Sequence, residues 1–362
     1  MGLSRGEFLS RIGMLKEIDP LTTMAYRFSE ALEAEKPQQG AGGAAPWHVS
    51  FHGSQFPGDN PRACPRRAVY TMMDIPRNGF SRKSRQLMDA GKDLEVQLVR
   101  RWHAAGMLLS AHPDSPVQTE FEDPSHWLTS TVDAIIVRPR STRPVVAEVK
   151  NVGADVMHEM MLLLRGPSEE HVRQVKCEIG LAHEQGPWEV TRCINSGRLA
   201  VNLNHFNGDT PVVVCPEHGG VKCLQDEVLE PVQHGFLYYV SRDNPDDTRE
   251  FYFEYDPEFM RQGREKLKIW RKYFEEGWLP GTHLSGKHPF GWNWTTDDSP
   301  CKWCPFGPNG SYVCKDDHLE AVKRGEMLPI AESQAVEEAR ESRPEYNLDL
   351  VRAAVSARWQ DS

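Results

Sequence analysis

The strongest constraint in this chain is a set of charged residues placed inside two short β-branched runs. Residues 131–137 read TVDAIIV and residues 144–150 read PVVAEVK. Each run is strand-length and rich in Val and Ile, and the intervening RPRSTR suits a tight connection. The pattern predicts a hairpin. It also puts Asp133, Glu148 and Lys150 inside a sheet, where a charge is disfavoured unless it meets an opposite charge or a metal ion. The strand period of two sets Glu148 and Lys150 on one face. Hairpin pairing would let Asp133 approach Glu148 across the ladder.

Such an acidic cup with an ammonium beside it has a definite chemistry. Mg²⁺ binds through one or two protein carboxylates and keeps waters, polarises a phosphoryl oxygen, and makes a water more acidic. A nearby lysine can position that water or neutralise developing charge. Phosphodiester hydrolysis is the reaction that fits. The same residues would also serve as a structural salt bridge, Lys150 with Asp133 or Glu148. Two further positions bear on the choice. Glu95 lies in GKDLEVQLV, four residues after Gly91, and could offer a third carboxylate or be an exposed helix residue. Gln174 lies in EEHVRQVKCEIG and could contact the metal water or a DNA phosphate, or simply be solvated.

The rest of the chain frames these strands. Residues 82–106 carry Leu87, Leu94, Leu98 and Trp102 on about one face of a helix. Residues 168–185 and 257–277 also read as helices. Two more strands, 235–242 and 249–256, flank the turn DNPDDT. Between them and the second helix, 186–234 reads as an irregular insertion. Residues 36–46, KPQQGAGGAAP, form a linker by composition. The expected organisation is an N-terminal helical segment over 1–46, a main domain over 47–315, and an acidic tail over 316–362. The order of elements indicates an α/β or α+β fold on a central mixed sheet flanked by helices.

Charge decides how nucleic acid could be met. The 362 residues carry a formal net charge of −10, unlike a protein that coats nucleic acid nonspecifically. Between residues 61 and 101, however, ten basic residues face four acidic ones. Arg62, Arg66, Arg67, Arg82, Lys83 and Arg85 belong to this local patch. They would contact phosphates, which carry affinity but no sequence information, or form a solvated basic face. No apolar run reaches the roughly 20 residues of a membrane span. Nothing at the N-terminus has the form of a secretory signal, so a cytoplasmic protein without membrane contact is expected.

Eight cysteines in such a compartment are thiols or metal ligands rather than disulfides. Cys301, Cys304 and Cys314 are grouped in SPCKWCPFGPNGSYVCK. Three thiolates need a fourth ligand for either zinc or a [4Fe–4S] cluster, and Cys64, in RACPRRAVY, is the candidate. Within the insertion, CPEHGGVKC together with Cys193 raises a separate question. Cys193, Cys215, His218 and Cys223 could form a zinc knuckle or be buried thiols, and spacing does not decide between them.

Taken together, Gly91-x-x-x-Glu95, Asp133, Glu148-x-Lys150 and Gln174 resemble the motif series of RecB-type nucleases of the PD-(D/E)XK superfamily. The cysteine ends, CPRRAVY and CKWCPF, resemble those of its iron–sulfur members, the CRISPR-associated RecB-like exonucleases and the AddB type. The resemblance covers about residues 47–315. It implies a restriction-endonuclease-like core and a Mg²⁺- or Mn²⁺-dependent DNA exonuclease acting on single strands or free ends. Asp133 and Glu148 would hold the metal with the Val149 carbonyl, and Glu95 would stand where histidine is frequent. Lys150 would position the water and Gln174 would be the motif glutamine. Cys64, Cys301, Cys304 and Cys314 would ligate a [4Fe–4S] cluster stapling the core. Four residues after Gln174 the family often has tyrosine; this chain has Glu178. The implied setting is recombination, repair, phage DNA processing or CRISPR adaptation, in a bacterial or phage-infected cell, with a helicase or recombination partner. Two other readings are a non-cutting iron–sulfur DNA-binding subunit and a zinc-stabilised interaction module.

Overall fold

The computed structural model describes residues 50–59, 63–75, 82–109, 119–162, 166–202, 213–280, 304, 306, 314 and 328–359. The chain divides into Met1–Pro46 and Trp47–Ser362, and every described residue falls in the second unit. The expected helical segment and linker before residue 47 lie outside the described residues.

In chain order the elements are β1 (Phe51–His52), α1 (Pro65–Met72), α2 (Arg82–Ala104), β2 (Thr119–Asp123), β3 (Leu128–Val132), β4 (Ala134–Val137) and β5 (Pro144–Val152). Next come α3 (Ala154–Leu162), α4 (Glu169–Gln185), β6 (Trp188–Cys193), β7 (Val201–Asn202), β8 (Val213–Val214) and β9 (Leu224–Leu229). The chain continues with β10 (His234–Ser241), β11 (Thr248–Glu254), α5 (Pro257–Glu276), β12 (Trp278–Leu279), β13 (Leu328–Pro329), α6 (Gln334–Ser342) and α7 (Leu348–Trp359).

The central sheet has the order β11-β10-β5-β4. The β4–β5 hairpin is antiparallel with Ala134 opposite Ala147, as the two β-branched runs predict. β10 lies parallel to β5, with Leu237 opposite Glu148 and Tyr239 opposite Lys150, and β11 returns antiparallel. A parallel neighbour needs a crossover, and α3, α4 and the β6–β9 region supply it. The fold is therefore α+β around a mixed sheet flanked by helices, the class expected from the order of elements. Among the described residues no helix is long and apolar enough to cross a membrane.

The local signals explain the element ends. α4 starts at Ser168, whose hydroxyl accepts from His171 N–H at 3.3 Å, with Glu169 and Glu170 in the first turn. α5 has Asp256 as N-cap (Oδ1 accepts from Phe259 N–H at 3.0 Å), Pro257 in its first turn, and Gly277 at φ 78° as the left-handed stop. Its buried stripe, including Phe259, Leu267, Trp270 and Phe274, joins the main core.

Three expectations change in detail. The run 131–137 is not one strand. It breaks at Asp133, so that β3 belongs to a second sheet of order β1-β3-β2 and β4 to the central one. The 186–234 stretch contains a regular antiparallel two-stranded sheet, β6 with β9, pairing Trp188 with Leu229 and Cys193 with Leu224. Its polar, half-exposed strands lack the apolar alternation that marks a strand in sequence. The acidic residues after 326 form α6 and α7, and Val336, Ala339, Leu348, Val351, Val355 and Trp359 are buried in the same core as α1 and α5. Acidic positions occupy the outer faces of these helices, which hides the apolar stripe from a reading based on composition.

Candidate metal centre

The break at Asp133 builds the site. Asp133 is the single residue between β3 and β4, where the chain passes from one sheet to the other. Because β3 departs there, the Val149 N–H on β5 has no strand partner on that edge. The Asp133 carboxylate takes the place, with Oδ2 accepting that N–H at 2.7 Å. In an extended strand the N–H and C=O of one residue point to the same edge, so the Val149 carbonyl shares the Asp133 side of β5.

Glu148 lies on the face of β5 that packs under α4. It is 2% exposed, Asp133 is 7% exposed, and Glu178 of α4 is fully buried. Lys150 Nζ donates to Glu148 Oε1 at 2.5 Å and to Gln174 Oε1 at 3.1 Å. The Gln174 amide in turn donates to Glu148 Oε1 at 2.7 Å and to Glu178 Oε1 at 2.9 Å. Ser130 of β3 reaches the same Glu178 oxygen at 3.5 Å. The structure thus brings Glu148, Lys150 and Gln174 into direct contact. Gln174 is a partly buried link between Lys150, Glu148 and Glu178 rather than a simply solvated residue.

Electrostatics mark the cluster as short of cations. Burial, followed by the neighbouring Glu178, pushes Glu148 up to about 8 despite the Lys150 ammonium. Burial and the Asp133 charge likewise push Glu178 up to about 8. Asp133 is raised by burial and then by Glu148 and Glu95. Lys150 stays charged because the attraction of Glu148 and Asp133 outweighs its burial. Glu95 therefore acts on Asp133 from α2, which lies against β5 at Gly91: a Cβ there would sit 3.8 Å from Asn151 Cβ.

One lysine cannot balance these carboxylates. Among the described residues, Glu148 Oε2 and Glu178 Oε2 are buried with no hydrogen-bond partner. An orphaned carboxylate oxygen buried beside a second carboxylate fits a hard divalent cation, which takes oxygen ligands and lowers the cost of holding these charges together. Asp133 and Glu148, with the Val149 carbonyl on the same edge, are the residues that would hold it.

Glu178 is the residue sequence reasoning passed over as a departure from a pattern. Its signal is the i, i+4 spacing from Gln174, which puts both on one face of α4. His171, one turn before Gln174, is also part of this face. Its Nδ1 lies 2.7 Å from the Tyr239 hydroxyl, and burial and the Lys150 charge hold it neutral, down to about 4.

The basic patch is only partly a surface. Arg66 is buried, and its Nε and Nη2 donate to the Pro280 carbonyl at 3.1 and 2.9 Å. It secures α1 to the backbone just past β12 and is not available to DNA, because the apolar side of α1 carries it inward. Arg67 is half-exposed and lies 3.5 Å from Glu170. Arg62 and the side chains of Arg82, Lys83 and Arg85 lie outside the described residues.

Of the four cysteines expected to share a cluster, Cys301 lies outside the described residues. Cys64 is the N-cap of α1. Cys304 and Cys314 pack on the main core, with the Cys314 N–H donating to the Phe306 carbonyl at 3.1 Å. Phe306 meets Tyr70 of α1 at a ring distance of 5.0 Å. A second group, Cys193, Cys215, His218 and Cys223, has its ligand atoms within 4.8 Å of one another.

No family model matches this chain, and no curated protein matches it. Solved structures similar to it include an alkaline exonuclease (LHK-Exo) from Laribacter hongkongensis, at 9% identity over 64% of this chain and 90% of that one, with a TM-score of 0.39. LHK-Exo in complex with dAMP is similar at 11% identity over 64% and 92%, with a TM-score of 0.38.

Proposed function

We propose that this protein is a Mg²⁺- or Mn²⁺-dependent DNA exonuclease of the RecB-like type, hydrolysing phosphodiester bonds at DNA ends and preferring single strands. The observation that carries the reading is the cluster of buried Asp133 and Glu148 with partly buried Lys150, in which one Glu148 oxygen has no hydrogen-bond partner among the described residues. Glu95 and Glu178 add negative charge to the same site, more than the single Lys150 ammonium balances.

A cation held by Asp133 and Glu148 would supply Lewis acidity at the phosphoryl oxygen and make a water more acidic. The chain's own residues do the rest. Asp133 is fixed by the Val149 N–H and Glu148 by Gln174, so both carboxylates are preorganised. Lys150 holds a proton-rich ammonium where an attacking water oxygen and the developing phosphorane charge would lie. Gln174 orients Lys150 through its carbonyl and Glu148 through its amide. The water oxygen bonds to phosphorus, the ester P–O bond breaks, and a proton passes to the leaving oxygen.

Cys64, Cys301, Cys304 and Cys314 hold a [4Fe–4S] cluster in this reading, with zinc as the other occupant. The Tyr70–Phe306 contact supports it, since it draws the segment carrying Cys304 to the helix that begins after Cys64. Arg62, Arg67, Arg82, Lys83 and Arg85 provide phosphate contacts. Recombination, repair, phage DNA processing or CRISPR adaptation is the setting, with a helicase or recombination partner.

The test is anaerobic purification with iron and sulfide measured, then digestion of end-labelled single-stranded DNA with Mn²⁺. Digestion that needs the cation and is lost in Lys150→Ala supports the proposal. Protein that binds DNA but never cuts it refutes the catalytic reading.

A further inference from the structure

We infer that Cys193, Cys215, His218 and Cys223 form a closed tetrahedral zinc site that shapes the 186–234 insertion and fastens it to the hairpin carrying Asp133 and Glu148. Each ligand sits at a tight turn. Cys193 ends β6, and its sulfur accepts the Ser196 N–H at 3.5 Å while Gly197 N–H returns to the Cys193 carbonyl at 2.7 Å. Cys215 follows β8, with Gly219 N–H on its carbonyl at 2.9 Å. Cys223 immediately precedes β9, and its carbonyl accepts the Ile194 N–H at 2.8 Å.

The geometry excludes hydrogen bonding as the reason for the convergence. His218 Nδ1 lies 3.1 Å from the Cys215 sulfur, 3.6 Å from that of Cys193 and 3.7 Å from that of Cys223. One imidazole nitrogen donates or accepts a single bond, so three thiols gain nothing by crowding it. Ligation of a common ion explains all three distances. Zinc–sulfur bonds of about 2.3 Å and zinc–nitrogen bonds of about 2.0–2.1 Å give tetrahedral sulfur–nitrogen edges of about 3.6 Å. A polynuclear iron–sulfur cluster binds its cysteines through separate irons and spreads them further apart. Four protein ligands leave no open position, so the site is structural rather than catalytic. Loading it releases the thiol protons as the thiolates form.

The knuckles bear directly on the sheet that carries the carboxylates. Arg140, in the β4–β5 turn, donates its N–H to the Gly197 carbonyl at 3.3 Å and its Nη2 to the Asn195 carbonyl at 2.7 Å. Leu199 N–H donates to the Gly106 carbonyl at 2.7 Å, just past the end of α2. Gly106 has φ +63°, and a Cβ there would lie 2.7 Å from Arg198 Cβ and 3.2 Å from Pro216 Cγ. The metal thereby holds the turn of the hairpin that bears Glu148 and the helix that bears Glu95.

The experiment uses the full-length protein purified without chelator, with zinc and iron measured per chain. One zinc is expected that Cys215→Ser lacks and Cys304→Ser keeps. In protein loaded with Co²⁺, the thiolate-to-cobalt charge-transfer absorption rises in His218→Cys as a fourth sulfur joins three, which keeps the test decisive if Cys215→Ser fails to fold. Chelation accelerates hydrogen exchange at residues 138–143 and 104–108 by about tenfold or more. A zinc content no lower in Cys215→Ser than in the wild type, a zinc-free wild type, cobalt absorption unchanged in His218→Cys, or unaltered exchange on chelation each overturn the inference. None of these readouts depends on DNA cleavage, so they stand apart from the nuclease proposal.

Discussion

Replacing Lys150 with methionine removes the ammonium and keeps most of the side-chain volume. The ammonium sits 2.5 Å from Glu148 Oε1 and 3.1 Å from Gln174 Oε1. Removing one partner of a buried ion pair costs about 3–5 kcal/mol when the other charge stays. Glu148 need not stay charged: burial and Glu178 already push its carboxyl up to about 8, so at neutral pH it takes a proton. The expected loss of stability is therefore at or below the lower end of that range, about 3 kcal/mol. Folding survives in a chain whose core also includes α1, α5, α6 and α7. Turnover responds differently, because the Lys150 ammonium is the side-chain group placed to position the attacking water beside the cation that Glu148 would hold. Loss of one positioned group of this kind slows a reaction by about 10²–10⁴-fold. The assay is urea unfolding in parallel with Mn²⁺-dependent release of label from single-stranded DNA. A variant that cuts within about threefold of wild type would refute the role given to Lys150. A rate loss matching the unfolded fraction alone would reduce it to a structural role.

Other perturbations read the same architecture. His171 is held down to about 4 in the folded chain, by burial and then by Lys150, against an ordinary histidine value of 6.5. Between those values the unfolded chain binds the proton and the native one does not, so stability rises with pH across the window and is lost below it. The contribution is at most about 3 kcal/mol; His171→Gln should flatten stability between pH 4 and 6.5, and an unchanged slope in urea unfolding would contradict this. Gly106→Val places a β-branched side chain at φ +63° against Arg198. It should lose about 1–3 kcal/mol and open residues 194–200 to proteolysis, whereas wild-type resistance would count against the docked knuckle. Val355→Ala, at 1% exposure, should cost about 1–3 kcal/mol in urea unfolding. A loss under about 0.5 kcal/mol would mean that α7 does not belong to the core.

The local grammar of this chain is legible from its residues. Two β-branched runs with a turn between them can hardly avoid pairing, and the pairing alone brings Asp133 near Glu148-x-Lys150. The caps of α4 and α5 are equally local: Ser168, Asp256 with Pro257, and Gly277 each satisfy backbone groups within four residues. Tertiary structure decided the rest, because the deciding contacts join residues far apart in the chain. The passage of Asp133 between two sheets depends on β3 leaving for β1 and β2. The burial of Glu178 depends on α4 lying over β5 and Ser130. The inward turn of Arg66 depends on a carbonyl at Pro280. Cysteine spacing left Cys193, Cys215, His218 and Cys223 undecided, since a knuckle and scattered thiols share one sequence. Their convergence needs β6 paired with β9, and the pairing is long-range, polar and without a local signal.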